Sequence, residues 1–364
     1  MKKFLKHPIR YARVALEEIY YDYDPQPWQP GAVNVAVLYV PKRIGDAMAV
    51  FPVIRALQGG TRHLIVVTSR HNDGVFSPLV AEGDITTIMI RDERNVSNHK
   101  AVAREISDLY GTIDLCVEGT TRNDTRTRAF VGTLKARSNL HISKSRMRCF
   151  SSICRQAQKL HREFAPYPTC WALLMRDAGI ANVPGNYEIP IEASVDADVC
   201  QALGDIGPYI ALNMDGSKAA RSLTLDQAQE ICGYIEETYG LPIVAVCSPA
   251  GEKKANALAD RVNKARRLDV PMSIHHSAAI VKHSALVVTP DTSVLHMASA
   301  FDRPVLALFA KRQDRWRPLS PQRETLISGD HLKDLDMQAV REALARLANL
   351  STPSSAFPKA ALDH

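Results

Sequence analysis

The feature that most limits what this chain can fold into is a repeated handover from short, wholly apolar β-branched runs to stretches with apolar residues at helical spacing. Residues 33–40 are the first such run, and residues 47–57 then repeat apolar side chains with the period of a helix. A strand without polar alternation has to be covered on both faces, which calls for a parallel sheet wound by helices. Runs at 64–68, 85–90 and 113–117, with helical stretches at 75–81 and 101–110, continue the pattern.

The pattern then stops and starts again. Residues 156–179 read as helical and end in a loop containing Gly, Asn and Pro, after which 187–195 is extended and marked by proline. A second cycle follows, with strands expected at 209–213, 243–247, 286–288 and 305–309 and helices at 224–238, 252–261, 274–283 and 294–300. The length of 364 residues also exceeds one ordinary α/β domain. We therefore expect a basic N-terminal arm over 1–30, a first Rossmann-like domain over 31–195 and a second over 196–350. That second domain ends in a helix at 332–350, and a disordered tail follows over 351–364. Asp22, Tyr23 and Asp24 imitate a metal-binding triplet, but they precede the first strand and read as a solvated turn.

Composition excludes several classes. With 46% hydrophobic and 23% charged residues the chain is globular, and no apolar run nears the ~20 residues of a membrane span. Lys6, His7 and Arg10 interrupt any signal-peptide core, which points to the cytoplasm. Seven cysteines, an odd number with no C-x-x-C pair, fit reduced core thiols better than disulfides or zinc. The net charge of +6 matters mainly through its distribution. Arg122, Arg126, Arg128, Lys135, Arg137, Lys144, Arg146 and Arg148 face a single acid, Asp124. Such one-sided charge suits phosphates, carboxylates or an acidic membrane leaflet.

Three loops at strand-to-helix junctions could carry chemistry. Arg43, Ile44, Gly45 and Asp46 follow the first strand, where ligands bind in a doubly wound sheet. Asp46 there is either a reactive carboxylate or a helix cap. Asn213 to Arg221 form a second loop, whose Ser217, Lys218 and Arg221 suit a diphosphate. Asp291, Thr292, Ser293 and His296 open a helix after the strand at 286–288, where Asp291 or Thr292 can cap it and free N–H groups favour a phosphate. Taken alone, His296 reads as a core histidine and the two cations as solvated.

Together the three loops resemble glycosyltransferase family 9, the ADP-heptose:lipopolysaccharide heptosyltransferases. Arg43 to Asp46, with Pro52 and Leu57, is similar to the family's R-x-G-D opening, and Lys218 to Leu223 to its basic loop. Met272 and Ser273, Asp291 to His296, and Asp302 to Val305 follow in the same order. The resemblance implies a GT-B fold, two Rossmann-like doubly wound domains facing a central cleft. It further implies an ADP-heptose donor as substrate with no cofactor and no metal, a lipopolysaccharide inner-core acceptor, and inversion at the transferred carbon. Asp46 is then the general base, and Lys218, Arg221 and the N–H groups at Thr292 and Ser293 meet the diphosphate. Ser217, Asp291 and His296 complete that donor site. Glu252 holds the ribose, Met272 packs on the adenine, and Arg43, Arg122, Arg126, Arg146 and Arg148 receive the acceptor. Contact of the cationic N-terminus with the inner membrane surface belongs to the same expectation. Ser293 replaces a usual Gly, Arg221 and Lys218 exchange the usual Lys and Arg, and Leu223 replaces Trp. Those departures leave two alternatives open: another nucleotide-sugar donor or glycan acceptor, and a non-catalytic binding subunit.

Overall fold

A computed structural model describes residues 6–31, 33–122, 124–143 and 146–350. Lys144 and the tail 351–364 lie outside the described residues. The chain divides into two units, Met1–Asn186 and Tyr187–His364.

The first unit is a five-stranded parallel sheet ordered β3-β2-β1-β4-β5, with β1 Val33–Tyr39, β2 Thr61–Ser69, β3 Thr86–Ile90, β4 Leu115–Glu118 and β5 Ser138–His141. Central β1 pairs Val37 with Ile65 of β2 and Leu38 with Val117 of β4, so both its edges are bonded. Successive Ala36, Val37 and Leu38 are fully buried, so both its faces are covered, as its unbroken apolar run requires. Val35, Val37, Tyr39, Ile65, Val67, Phe130 and Val131 fill the core on one side.

The second unit is a six-stranded parallel sheet ordered β11-β10-β9-β6-β7-β8. Its strands are β6 Ile210–Asn213, β7 Ile243–Val246, β8 Ala265–Arg266, β9 Leu286–Pro290, β10 Val305–Phe309 and β11 Arg323–Ile327. Read from its own first strand this is the 3-2-1-4-5-6 order of dinucleotide-binding folds, and the first unit follows it through five strands. Each sheet reverses its strand order once, between β1 and β4 and between β6 and β9. Crevices for ligands form at those reversals.

Several expectations need correction. The N-terminal segment is no free arm: Lys6–Tyr21 is a helix lying on helix Thr125–Leu134, where Arg128 pairs with Glu17. Gly132 permits that approach, because a Cβ there would strike the Tyr21 backbone. The Asp22 carboxylate accepts hydrogen bonds from the Arg148 and Cys149 amides, so the supposed solvated turn is a clasp. The boundary between units falls after Asn186, nine residues before the expected one (195 − 186), because the stretch expected as extended over 187–195 belongs to the second unit and runs into its helix Ala193–Leu203. The helix expected over 47–57 is two, Ile44–Ala49 and Phe51–Leu57, with Pro52 starting the second. The long helix at 156–179 likewise breaks at Phe164, whose φ is +62°, and at Pro166.

Candidate active site

In the first unit a cavity of about 770 Å³ opens at the carboxyl ends of β1, β2, β3 and β4. Asp46 lines it, in the short helix Ile44–Ala49 that follows β1. Lys42 Nζ donates to Asp46 Oδ1 at 3.0 Å, and the Arg43 amide donates to Asp46 Oδ2 at 3.3 Å. The carboxylate therefore reaches back to the helix start from the third helical position, Arg43 being the cap residue, and it lines the cavity as well. Across the strand reversal, Thr120, Arg122, Asp124 and Arg126 follow β4 into the same cavity.

Asp124 caps helix Thr125–Leu134 and binds the Arg126 guanidinium at 2.6 Å. Burial works against its charge, but the hydrogen bonds from Arg126 and Thr127 hold the carboxyl below its usual range. Behind the wall, buried Glu118 accepts from the Thr120 amide and hydroxyl. Desolvation pushes its carboxyl up to about 7. The Tyr39 hydroxyl meets His99 Nδ1 at 2.6 Å, and His99 Nε2 lies 3.0 Å from the Glu93 carbonyl. A carbonyl only accepts, so Nε2 carries the proton and Tyr39 donates to Nδ1.

Of the residues expected to receive the acceptor, Arg43, Arg122 and Arg126 line this cavity and Arg146 and Arg148 do not. Arg148 is held by Asp22 and Asp24, at 3.3 and 2.9 Å, because the clasp described above turns it to that side. Arg146 is exposed. The basic stretch thus splits: Arg128 is buried against Glu17 and Arg137 pairs with Asp114, both holding the fold together. Lys42, Arg70, His71, Arg91 and Arg94 were missed, although all line the cavity. Arg70 and Arg91 directly follow β2 and β3, so the strand-end rule that picked out Asp46 could have found them.

In the second unit the loops after β6 and β9 meet across the other reversal. Asn213 Nδ2 donates to Thr289 Oγ1 and Thr292 Oγ1, each at 3.0 Å. Arg221 pairs with Asp291 at 3.3 Å. Burial raises the Asp291 carboxyl above its usual range, with Arg221 pulling the other way. Gly216 and Gly251 are there for closeness: a Cβ on the first would strike the Arg221 backbone and on the second the Asp215 carboxylate. Ser217 and Lys218 sit exposed on this loop. Helix Ser293–Ala300 starts at Thr292 with no side chain capping it. This corrects the expected Asp291 or Thr292 cap, since Asp291 is turned to Arg221 and Thr292 to Asn213. The uncapped N–H groups of that start remain suited to an anion.

His296 sits as the core histidine that it reads as on its own. It is buried, stacked on Tyr187 at 4.3 Å between ring centroids and tilted against Trp316 at 5.2 Å. Desolvation depresses its ionisation to about 3, so it is neutral and cannot meet a phosphate as a cation. Leu223 is a core residue whose amide donates to the Met214 carbonyl at 2.9 Å. Glu252 pairs with Arg267 at 3.7 Å, and Arg267 and Met272 line one hollow with Cys247, Pro271 and His276. Of the two residues expected around the nucleoside, Met272 lines this hollow and Glu252 reaches it only through Arg267.

Two parallel α/β units of the dinucleotide-binding strand order in one chain are the architecture of the GT-B fold. Residues 172–344 match the model of glycosyltransferase family 9 (heptosyltransferase). An uncharacterized protein of Escherichia coli (strain K12), YeeL, is 36% identical over 221 residues, 59% of this chain and 94% of that one. The family 9 glycosyltransferase of Veillonella parvula DSM 2008 superposes with a TM-score of 0.71 at 14% identity, covering 90% of this chain and all of that one (100%). The E. coli heptosyltransferase WaaC with ADP gives a TM-score of 0.64 at 15% identity, over 86% and 99% of the two chains. The chain belongs to glycosyltransferase family 9.

Proposed function

We propose that this glycosyltransferase moves heptose from ADP-heptose to the inner core of lipopolysaccharide, with inversion and with Asp46 as general base. The observation that carries the reading is Asp46 in a cavity with Lys42, Arg43, Arg70, Arg91, Arg94, Arg122 and Arg126. An acceptor rich in phosphate and carboxylate fits that charge, whereas a neutral glycan would leave it unmatched. Asp46 takes the proton of the acceptor hydroxyl as its oxygen bonds to the anomeric carbon, and the bond to the diphosphate breaks. One displacement inverts that carbon.

The departing diphosphate is met by Lys218, Arg221 and the N–H groups at the start of helix Ser293–Ala300. Those groups supply the charge that a divalent ion would otherwise bring, so the reading includes no metal and no cofactor. Glu252 and Met272 receive the nucleoside, in keeping with WaaC, which is described with ADP. Asp291 holds Arg221 in place rather than touching phosphate itself.

The reading includes a membrane surface as partner. Leu16, Ile19 and Tyr20 on helix Lys6–Tyr21 are 68%, 76% and 75% exposed, with Lys6, Arg10 and Arg13 in the same helix. No helix among the described residues is long and apolar enough to cross a membrane, so contact would be peripheral. Co-sedimentation with anionic vesicles, lost on Leu16→Glu, tests this.

Asp46→Asn tests the mechanism. Turnover should fall by about 10² to 10⁴ while ADP-sugar affinity persists. Unchanged turnover would remove Asp46 from the chemistry. A donor screen tests the sugar nucleotide, because a ligand at about 100 times its Kd stabilises by about 2.7 kcal/mol. Stabilisation by UDP- or GDP-sugars but not ADP-heptose would move the donor.

A further inference from the structure

Two helices of the second unit bring three unlike ligand atoms together at its surface, away from the loops after β6 and β9. Helix Ala193–Leu203 carries Asp196 and Cys200 one turn apart and so on one face. Helix Ile274–His283 ends on His283. His283 Nε2 lies 2.8 Å from Asp196 Oδ1 and 3.5 Å from Cys200 Sγ, and the three ligand atoms all fall within 4.8 Å of one another.

An ion-pair network explains part of this. Lys282 Nζ sits 2.7 Å from Asp196 Oδ2 and His283 faces the other oxygen, which accounts for the carboxylate and the imidazole. The thiol is left over. Cys200 is the exposed member of seven cysteines, the rest being buried or half-buried. Its sulfur and the Asp196 oxygen face the same ring nitrogen, and one proton on that nitrogen serves only one of them well.

A metal ion serves both. Zinc bonds of about 2.0–2.3 Å to N, O and S place tetrahedral ligands about 3.3–3.7 Å apart, so small side-chain rotations close the site.

We propose that Asp196, Cys200 and His283 bind a divalent transition-metal ion of zinc type, with water as the fourth ligand. Sulfur and imidazole nitrogen select zinc or cobalt over magnesium and calcium. Asp196 Oδ2 keeps Lys282 while Oδ1 takes the ion. The bound ion ties the first helix of the second unit to helix Ile274–His283, so its expected role is to hold that helix down, and it stands apart from sugar transfer.

Cobalt(II) titrated into the reduced, full-length protein is the test. The expected result is a thiolate-to-cobalt charge-transfer band in the near ultraviolet with the strong visible bands of four-coordinate cobalt. Both should saturate at one ion per chain and disappear on adding zinc. Cys200→Ser should remove the charge-transfer band, and His283→Ala should weaken binding by about 10-fold or more. Lys282→Met, which takes away a competing cation, should tighten binding. Zinc should raise the Tm of the unaltered protein and leave that of Cys200→Ser where it was. No cobalt spectrum at millimolar metal, or a charge-transfer band that survives in Cys200→Ser, would overturn the site.

Discussion

The two units put the same topology to opposite electrostatic use. At the strand reversal of the first, seven cations (Lys42, Arg43, Arg70, Arg91, Arg94, Arg122 and Arg126) stand with four acids (Asp46, Asp92, Glu93 and Asp124) around one wide cavity. At the reversal of the second, Arg221 and Asp291 cancel each other, and attraction for an anion comes from exposed Lys218 and an uncapped helix start. The first arrangement suits a ligand with several spread-out anions, the second a compact diphosphate. A parallel sheet decides where a ligand can bind, and the loops decide which ligand that is.

The largest expected effect separates cations that hold the fold from cations that hold a ligand. Arg128 and Arg126 stand two residues apart on one helix, yet Arg128 is 2% exposed against Glu17 and Arg126 is 34% exposed at the cavity. Arg128→Ala should cost about 3 kcal/mol in denaturant unfolding, the lower end for a broken buried pair because Arg13 still meets Glu17. Arg126→Ala should cost less than about 1 kcal/mol and instead raise the acceptor KM. Equal stability losses would break the distinction.

Arg221→Ala should move only the donor. Loss of a charge-assisted contact of about 1.5–3 kcal/mol predicts roughly 10- to 100-fold weaker ADP-sugar binding with the acceptor KM unmoved. Isothermal titration with ADP and initial-rate kinetics read the two separately. An effect shared by both substrates would show that the two edges do not divide the work as their charges suggest.

The smallest effects carry the sign of the pH dependence, again opposite in the two units. His296 has a folded value of about 3 against about 6.5 unfolded, so its contribution is complete above about pH 6.5 and is lost as pH falls toward 3. Glu118 has a folded value of about 7 against 4.5, so its contribution is complete below 4.5 and is lost as pH rises through 7. His296→Phe keeps a ring between Tyr187 and Trp316 and removes a buried Nδ1 that has no hydrogen-bond partner. It should stabilise by about 1 kcal/mol, more in acid, with donor affinity unchanged. Glu118→Gln should stabilise at about pH 8 and do little at about pH 5. Weakened donor binding in His296→Phe would return that residue to the site.

Most of the sheet core was legible in the sequence because strands covered on both faces announce themselves as apolar runs. Three strands gave no such signal. The four residues of β5 include Ser138, Asn139 and His141, β8 has two residues, and β11 alternates exposed and half-buried positions at an edge. Asp46, Lys218 and Arg221 were singled out because a strand-end loop concentrates polar residues. The functional split among the arginines was not legible, since Arg128 and Arg126 look alike until helix Lys6–Tyr21 covers one of them. His296 on its own reads as the core histidine that it is, but its partners Tyr187 and Trp316 are distant in sequence, and it is burial among them that keeps it neutral.

The edge strands have a consequence for life at high concentration. A strand open on one side is a template for another chain, and three of the four sheet edges are strands poorly made for that purpose, the fourth being β3 with its largely apolar Thr86–Ile90. In the second sheet β8 is too short to guide a register, and β11 sets Arg323 and Glu324 along its rim, with Arg346 reaching Glu324 at 3.1 Å. In the first, β5 offers four mostly polar residues. Copies of this protein crowded together therefore have little sheet to share outside β3, and at the other three edges resistance to fibre formation is built into the same short strands that were hardest to read.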